Sequence, residues 1–258
     1  MNSITKAVIQ TNEWTALKQF TNARIALGKT GTAIPLKECL NLKLAHAQAK
    51  DAVYSTLNTV ELTQAISDQQ INTGLVHSNA GNRDIYLQRP DLGRRLNEKS
   101  VETLTDLSVQ SADLLIVIAD GLSALAVNKY AAEVTSLLIK EIKKTACTIA
   151  PIIIAEQARV AIADEIGEIL KARLSIILIG ERPGLSAFDS MGAYITYHPA
   201  IGNTDESRNC ISNIRADGLT PAEAAMKIMQ LINAAFTLQM TGVALKDNST
   251  HHSPLIGG

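Results

Sequence analysis

Beyond residue 112 the apolar residues fall into short unbroken runs separated by amphipathic stretches. "CTIAPIIIAEQARV" (147–160) supplies one strand, and "LLIVIA" (114–119) and "SIILI" (175–179) are continuous rather than alternating. That is the pattern of strands covered on both faces. Between them, "ALAVNKYAAEVTSLLIKEIKKT" and "AIADEIGEILKA" carry apolar positions at helical spacing. "GAYITYHP" (192–199), rich in Tyr, Ile and Thr, predicts a fourth strand. A last helix is predicted from Pro221 to about Met240, and 241–258 reads as a flexible tail. Strand and helix in alternation predict an α/β fold: a mostly parallel, Rossmann-like sheet with helices on both faces over residues 97–240.

The first segment, residues 1–96, has a different rhythm and reads as a mainly helical region. Asn12 is placed to cap a helix whose Trp14, Leu17 and Phe20 share a face. "TGTAIP" (30–35) breaks the chain, and Pro35 suits the start of a helix striped by Leu36, Cys39, Leu40 and Leu44. A third polar-to-apolar segment follows from Asp51, "DIYL" (84–87) is expected as a short extended piece, and a helix from about Asn97.

In a parallel sheet, ligands sit beyond the carboxyl ends of the strands. That rule selects three loops: Asp120–Ser123, Glu156–Val160 and Gly180–Leu185. No G-x-G-x-x-G or Walker A sequence follows a strand, so neither nucleotide fingerprint is present. Ser123 lies outside a G-x-S-x-G elbow. The five histidines, His46, His77, His198, His251 and His252, have no metal-ligand spacing.

Composition narrows the classes. Hydrophobic residues make up 46% and aromatics 3%, so the core is aliphatic. The net charge of −1 and dispersed Lys and Arg speak against nucleic-acid binding. No signal peptide or membrane-spanning run is visible, and three scattered cysteines suggest a reducing compartment.

Three features stay open on residues alone. Glu181 and Arg182 form either a surface ion pair on a tight turn or a preorganised carboxylate facing a ligand. Cys210 is either an inert packed thiol or part of a site. Arg89, Arg94 and Arg95 cluster in sequence around Asp91, as a self-satisfied turn or as a clamp for phosphate or a partner chain. Asp164, Glu165 and Glu168 read as the solvated face of a helix. No acid, base and electrophile assemble, which suggests part of an active site; the other reading is a self-sufficient α/β enzyme binding a nucleotide or small acid at the strand ends.

Five motifs in order, "DIYLQRPDLGRRL", "VIADGLSALAVN", "ARVAIADEIGEIL", "LIGERPGL" and "NCISNI", resemble the small (light) subunit of ethanolamine ammonia-lyase. The resemblance spans about residues 12–240. It implies a hetero-oligomer with a large subunit that holds substrate and performs radical chemistry, sharing adenosylcobalamin with this chain. Ethanolamine would be converted to acetaldehyde and ammonia. By motif, the cofactor contacts it implies are Val160, Glu181 and Cys210, with no catalytic or metal-binding residue on this chain. The D-x-H-x-x-G cobalamin motif is absent, so a histidine of this chain is not expected to ligate cobalt. Thr32 stands where relatives often have arginine. The resemblance implies a cytoplasmic enzyme, either diffuse or packaged in a bacterial microcompartment through other subunits.

Overall fold

The computed structural model describes residues 9–107 and 111–245. Six strands form one sheet: β1 (Thr73–His77), β2 (Leu114–Ala119), β3 (Ile152–Glu156), β4 (Leu174–Gly180), β5 (Met191–Tyr197) and β6 (Arg208–Ile214), in the order β1-β3-β2-β4-β5-β6. The pairs β1–β3, β3–β2 and β2–β4 are parallel, and β4–β5 and β5–β6 are antiparallel.

The unbroken apolar runs are explained by two cores, one on each face. Along β2, Leu114, Ile116 and Ile118 enter one core while Leu115, Val117 and Ala119 enter the other. β4 divides in the same way, Leu174, Ile176 and Leu178 against Ile177 and Ile179. Because side chains alternate across a strand, both sets must be apolar when both faces are covered. Helices α2 (Thr59–Ser67), α5 (Ala124–Ile142) and α7 (Pro221–Leu238) cover the first face. α4 (Glu98–Asp106) and α6 (Ile162–Ile169) cover the second. The chain leaving β2 therefore turns to one face and the chain leaving its neighbour β3 turns to the other. This divergence opens a crevice at their carboxyl ends.

Capping follows the sequence closely. Ser123 starts α5 by accepting the Ala126 N–H, Asn97 starts α4 by accepting that of Ser100, and Thr220 with Glu223 forms a capping box ahead of α7.

Several expectations change. "DIYL" is helical: α3 (Arg83–Gln88) begins at Asn82, whose side chain accepts the Ile85 N–H. β1 and β6 are additional strands. β1 lies within the segment 1–96 and pairs with β3, so the sheet extends across residue 96. Its short "TGLVH" shows an alternating burial that composition alone leaves ambiguous. Trp14, Leu17 and Phe20 lie on a 3-10 helix, Glu13–Phe20, that buries none of its residues. α1 (Leu36–Tyr54) likewise buries only Ala45 and Ala52 and leaves Leu36, Leu40 and Leu44 exposed. Periodicity identified the shared faces; nothing in the described chain covers them. Of the expected tail, residues 241–245 pack through Leu245 against the first core, and residues 246–258 lie outside the described residues. His251 and His252 lie there too. Among the described residues, no helix is long and apolar enough to cross a membrane and no metal-binding cluster of His, Cys, Asp or Glu occurs.

Candidate functional site

The three loops selected by the strand-end rule meet in one cavity. It is lined by Gly121 and Leu122 after β2, Arg159 and Val160 after β3, and Glu181 and Arg182 after β4, with Tyr86 of α3 and Tyr194 of β5 closing the sides. The strands beneath are pressed together: the Leu122 N–H donates to the Gly180 carbonyl at 2.9 Å. A Cβ on Gly180 would overlap the carbonyl oxygens of Asp120 and Ser123, and one on Gly121, where φ is +55°, would overlap Gly180. Glycine is required at both positions by this close approach.

Asp120 ends β2 and holds the β3 loop. Its buried carboxylate accepts the N–H groups of Gln157 at 2.8 Å and Ala158 at 3.0 Å, and lies 3.8 Å from Arg83. Burial pushes its pKa up to about 6 against those bonds and the nearby guanidinium. Arg83 also donates to the carbonyls of Val53 and Gly121. The next residue of the loop, Arg159, lies over the Tyr86 ring, 4.2 Å from its centroid, and Arg83 lies over the same ring at 4.7 Å. Tyr86 is buried and donates to the Ala158 carbonyl at 3.0 Å; burial raises its pKa strongly. Val160 is half-buried and packs against the second core.

Glu181 does not pair with Arg182, which overturns the surface ion-pair reading. Its carboxylate instead accepts the hydroxyls of Ser190 and Ser212 and, at 3.2 Å, the N–H of Asn213. Its own N–H donates to the Ser190 carbonyl at 3.0 Å. Gly192 provides the space, since a Cβ there would lie 3.1 Å from the carboxylate. A carboxylate offers about four acceptor positions. Oε2 takes two donors and Oε1 takes one, so one position on Oε1 is left for a further donor.

Cys210 lies on β6 directly opposite Tyr194. Cys210 is exposed as a residue; desolvation of its thiol against the neighbouring side chains raises its pKa, opposed by a hydrogen bond with Tyr194 and reinforced by the Glu181 charge. Tyr194 is raised as well, by burial first and then by Cys210 and Glu181. Tyr194 thus links Cys210 to the cavity that Val160 and Glu181 line. The fold brings Val160 and Glu181 into one cavity, whereas Cys210 lies outside its lining, on the strand beside Tyr194.

Other clusters resolve differently. Arg89 binds Asp91 through two bonds of 3.0 and 2.7 Å, whereas Arg95 reaches Glu165 instead. The three arginines therefore do not share one carboxylate. Asp164 and Glu165 are buried, correcting the solvated-face reading: Asp164 is paired with Arg208 and Glu165 with Arg95. Only Glu168 is exposed as expected among the three, and its carboxylate caps the Ile201 N–H. Tyr86, Arg159 and Tyr194 were not selected from the sequence. Arg159 has a signal, adjacency to Val160 in a selected loop; Tyr86 has none in a segment whose residues suggest an extended piece.

A family model described as "Ethanolamine ammonia-lyase light chain (EutC)" matches residues 11–246. The chain is 46% identical over 252 residues to an "Ethanolamine ammonia-lyase small subunit" of Pseudomonas syringae pv. tomato, covering 96% of this chain and 88% of the relative. Relatives of the same description from Pseudomonas putida (strain GB-1) and Xanthomonas campestris pv. campestris are 48% and 47% identical, covering 94% and 95% of this chain and 90% of each relative.

Proposed function

The chain belongs to the ethanolamine ammonia-lyase light-chain family, and from that premise we propose that its strand-end cavity is one wall of an adenosylcobalamin site completed by the large subunit. The protein is a subunit of a hetero-oligomeric carbon–nitrogen lyase that converts ethanolamine to acetaldehyde and ammonia. When bound, the cofactor supplies the radical chemistry through its cobalt–carbon bond, and protein supplies position and exclusion of water.

The observation that carries this reading is that Val160 and Glu181 line one crevice at the ends of β2, β3 and β4, with Cys210 paired to its Tyr194 on the neighbouring strand. The donor and acceptor set fits a corrin edge. The spare position on Glu181 Oε1 can accept one N–H or O–H from the amides or the adenosyl group, and Ser190, Ser212 and Asn213 hold the carboxylate in place for it. Val160 offers apolar contact inside the cavity, and Cys210 offers it on the exposed surface beside Tyr194. The cavity encloses about 280 Å³, below the ~300–1,000 Å³ of sites that engulf a drug-sized ligand. It can hold only a projecting part of a cofactor as large as cobalamin, which supports a site divided between two subunits. The uncovered apolar residues Trp14, Phe20, Leu36 and Leu44 also support a partner chain. Arg24, in the same N-terminal stretch, donates to the Leu185 carbonyl at 3.0 Å, so that stretch reaches the turn after Glu181.

The test is coexpression with the large subunit, followed by titration of ethanolamine-dependent ammonia release with adenosylcobalamin. Glu181→Ala is expected to raise the apparent cofactor constant by about 10-fold or more, the equivalent of a lost hydrogen bond to a charged group. An unchanged constant removes Glu181 from the cofactor wall.

A further inference from the structure

The cavity contains more positive charge than its own carboxylates neutralise. Arg159 and Arg182 both line it. Neither forms an ion pair among the described residues. Glu181, the only carboxylate in the lining among the described residues, is engaged by two hydroxyls and a backbone N–H rather than by a guanidinium. Asp120 beneath the floor already has Arg83 and two backbone donors.

Arg159 is held ready rather than mobile. Its backbone N–H donates to the Gly93 carbonyl at 2.7 Å, and its Nη2 donates to the Tyr86 carbonyl at 3.2 Å. Its stem rests on Gly93, where an added Cβ would come within 2.9 Å of Cγ. The guanidinium lies over the Tyr86 ring, and its Nε–H is buried without an acceptor. A buried donor left unmatched costs about 1–3 kcal/mol, so this group calls for an acceptor. Arg182 is exposed at the cavity mouth and makes no side-chain bond among the described residues. Two guanidinium groups thus line one cavity without a carboxylate partner among the described residues, an arrangement that favours an anionic ligand.

Building on the cofactor reading, we propose that Arg159 and Arg182 form the subsite for the phosphodiester of the cofactor's nucleotide loop. The phosphodiester is the one anionic group projecting from the corrin periphery of a cobalamin, and its two non-bridging oxygens match the forked donors of guanidinium groups. The corrin side-chain amides are neutral and give no reason to gather two cations. The subsite makes this chain a reader of the complete, nucleotide-bearing form of the cofactor.

The experiment uses the coexpressed two-subunit enzyme and measures equilibrium binding by absorbance with two probes, adenosylcobalamin and adenosylcobinamide. The second keeps the corrin and adenosyl group but lacks the phosphodiester and nucleotide. Arg182→Ala should weaken adenosylcobalamin binding about 10-fold or more while moving adenosylcobinamide by less than about 2-fold. Arg159→Ala should act in the same direction; because Arg159 also packs on Tyr86, the exposed Arg182 carries the decision. Equal weakening for both probes overturns the proposal, since the guanidinium would then meet the corrin. No weakening for either probe also overturns it. Glu181→Ala, run alongside, separates the two levels: if it weakens both probes while Arg182→Ala weakens neither, only the phosphodiester subsite falls. If neither variant changes binding of either probe, the cofactor reading of this cavity falls with it.

Discussion

Arg208→Met tests the tie that fixes β6 to α6, and through them Cys210 to the loop bearing Val160. Arg208 and Asp164 are 2% and 3% exposed, and each oxygen of Asp164 accepts one guanidinium N–H at 2.7 Å. Arg208 also donates to Thr196 at 3.2 Å, to the Asn203 carbonyl at 3.1 Å and to Asp205 at 3.4 Å. Truncation leaves a carboxylate buried without its counter-charge, which costs about 3–5 kcal/mol. The pair as a whole is worth far less, because both ions were taken out of water to form it. Arg208→Met combined with Asp164→Leu should therefore recover to within about 2 kcal/mol of the parent, the remainder reflecting the partners left at Thr196 and Asn203. The loss should also depend on pH. Burial already raises the Asp164 pKa despite Arg208, and removing the guanidinium raises it further. A carboxyl whose folded pKa lies above its unfolded one favours the folded state only while protonated. The deficit of Arg208→Met should thus be smallest in acid and grow as pH rises through the folded pKa. Urea unfolding followed by far-ultraviolet circular dichroism, at pH 5 and pH 7, measures all four states. A single-variant cost under about 1 kcal/mol, or a double variant equal to the sum of the singles, would refute the claim that these charges are desolvated and coupled.

Two further outcomes follow from the same face. Asp120 has a pKa of about 6, above its ordinary 3.8, so its neutral form stabilises the fold and that stabilisation is lost as pH rises from about 4 to 6, by about 3 kcal/mol. Asp120→Asn, which cannot ionise, should gain about that much relative to the parent between pH 4 and pH 7 in denaturant unfolding; a pH-independent difference contradicts the raised pKa. Gly180→Ala places a methyl group against backbone carbonyls that cannot swing aside, and should cost about 3 kcal/mol or more, read as a lowered Tm and reduced soluble yield.

The part of the chain legible in its sequence is the part whose local pattern has one packing solution. "LLIVIA" and "SIILI" are apolar at every position, and only a strand with a core on each side makes use of both alternating sets. Their carboxyl ends are legible as a ligand-facing edge, and the three loops at those ends meet in one cavity. The motifs that carry Val160, Glu181 and Cys210 were likewise visible as a family resemblance, although residues alone left Glu181 and Cys210 ambiguous.

What only the tertiary structure decided depends on partners distant in sequence. Whether Glu181 pairs with Arg182 turned on Ser190, Ser212 and Asn213, which arrive 9 to 32 residues later. Asp164 and Glu165 looked like a polar helix face because no local rule places Arg208 and Arg95 over them. β1 and β6 escaped detection because a short strand is stabilised by the neighbour it pairs with more than by its own residues. Helix and strand periods are written into each segment by backbone geometry, whereas charge pairing and burial are properties of the space between segments, and that space exists only once the chain has folded.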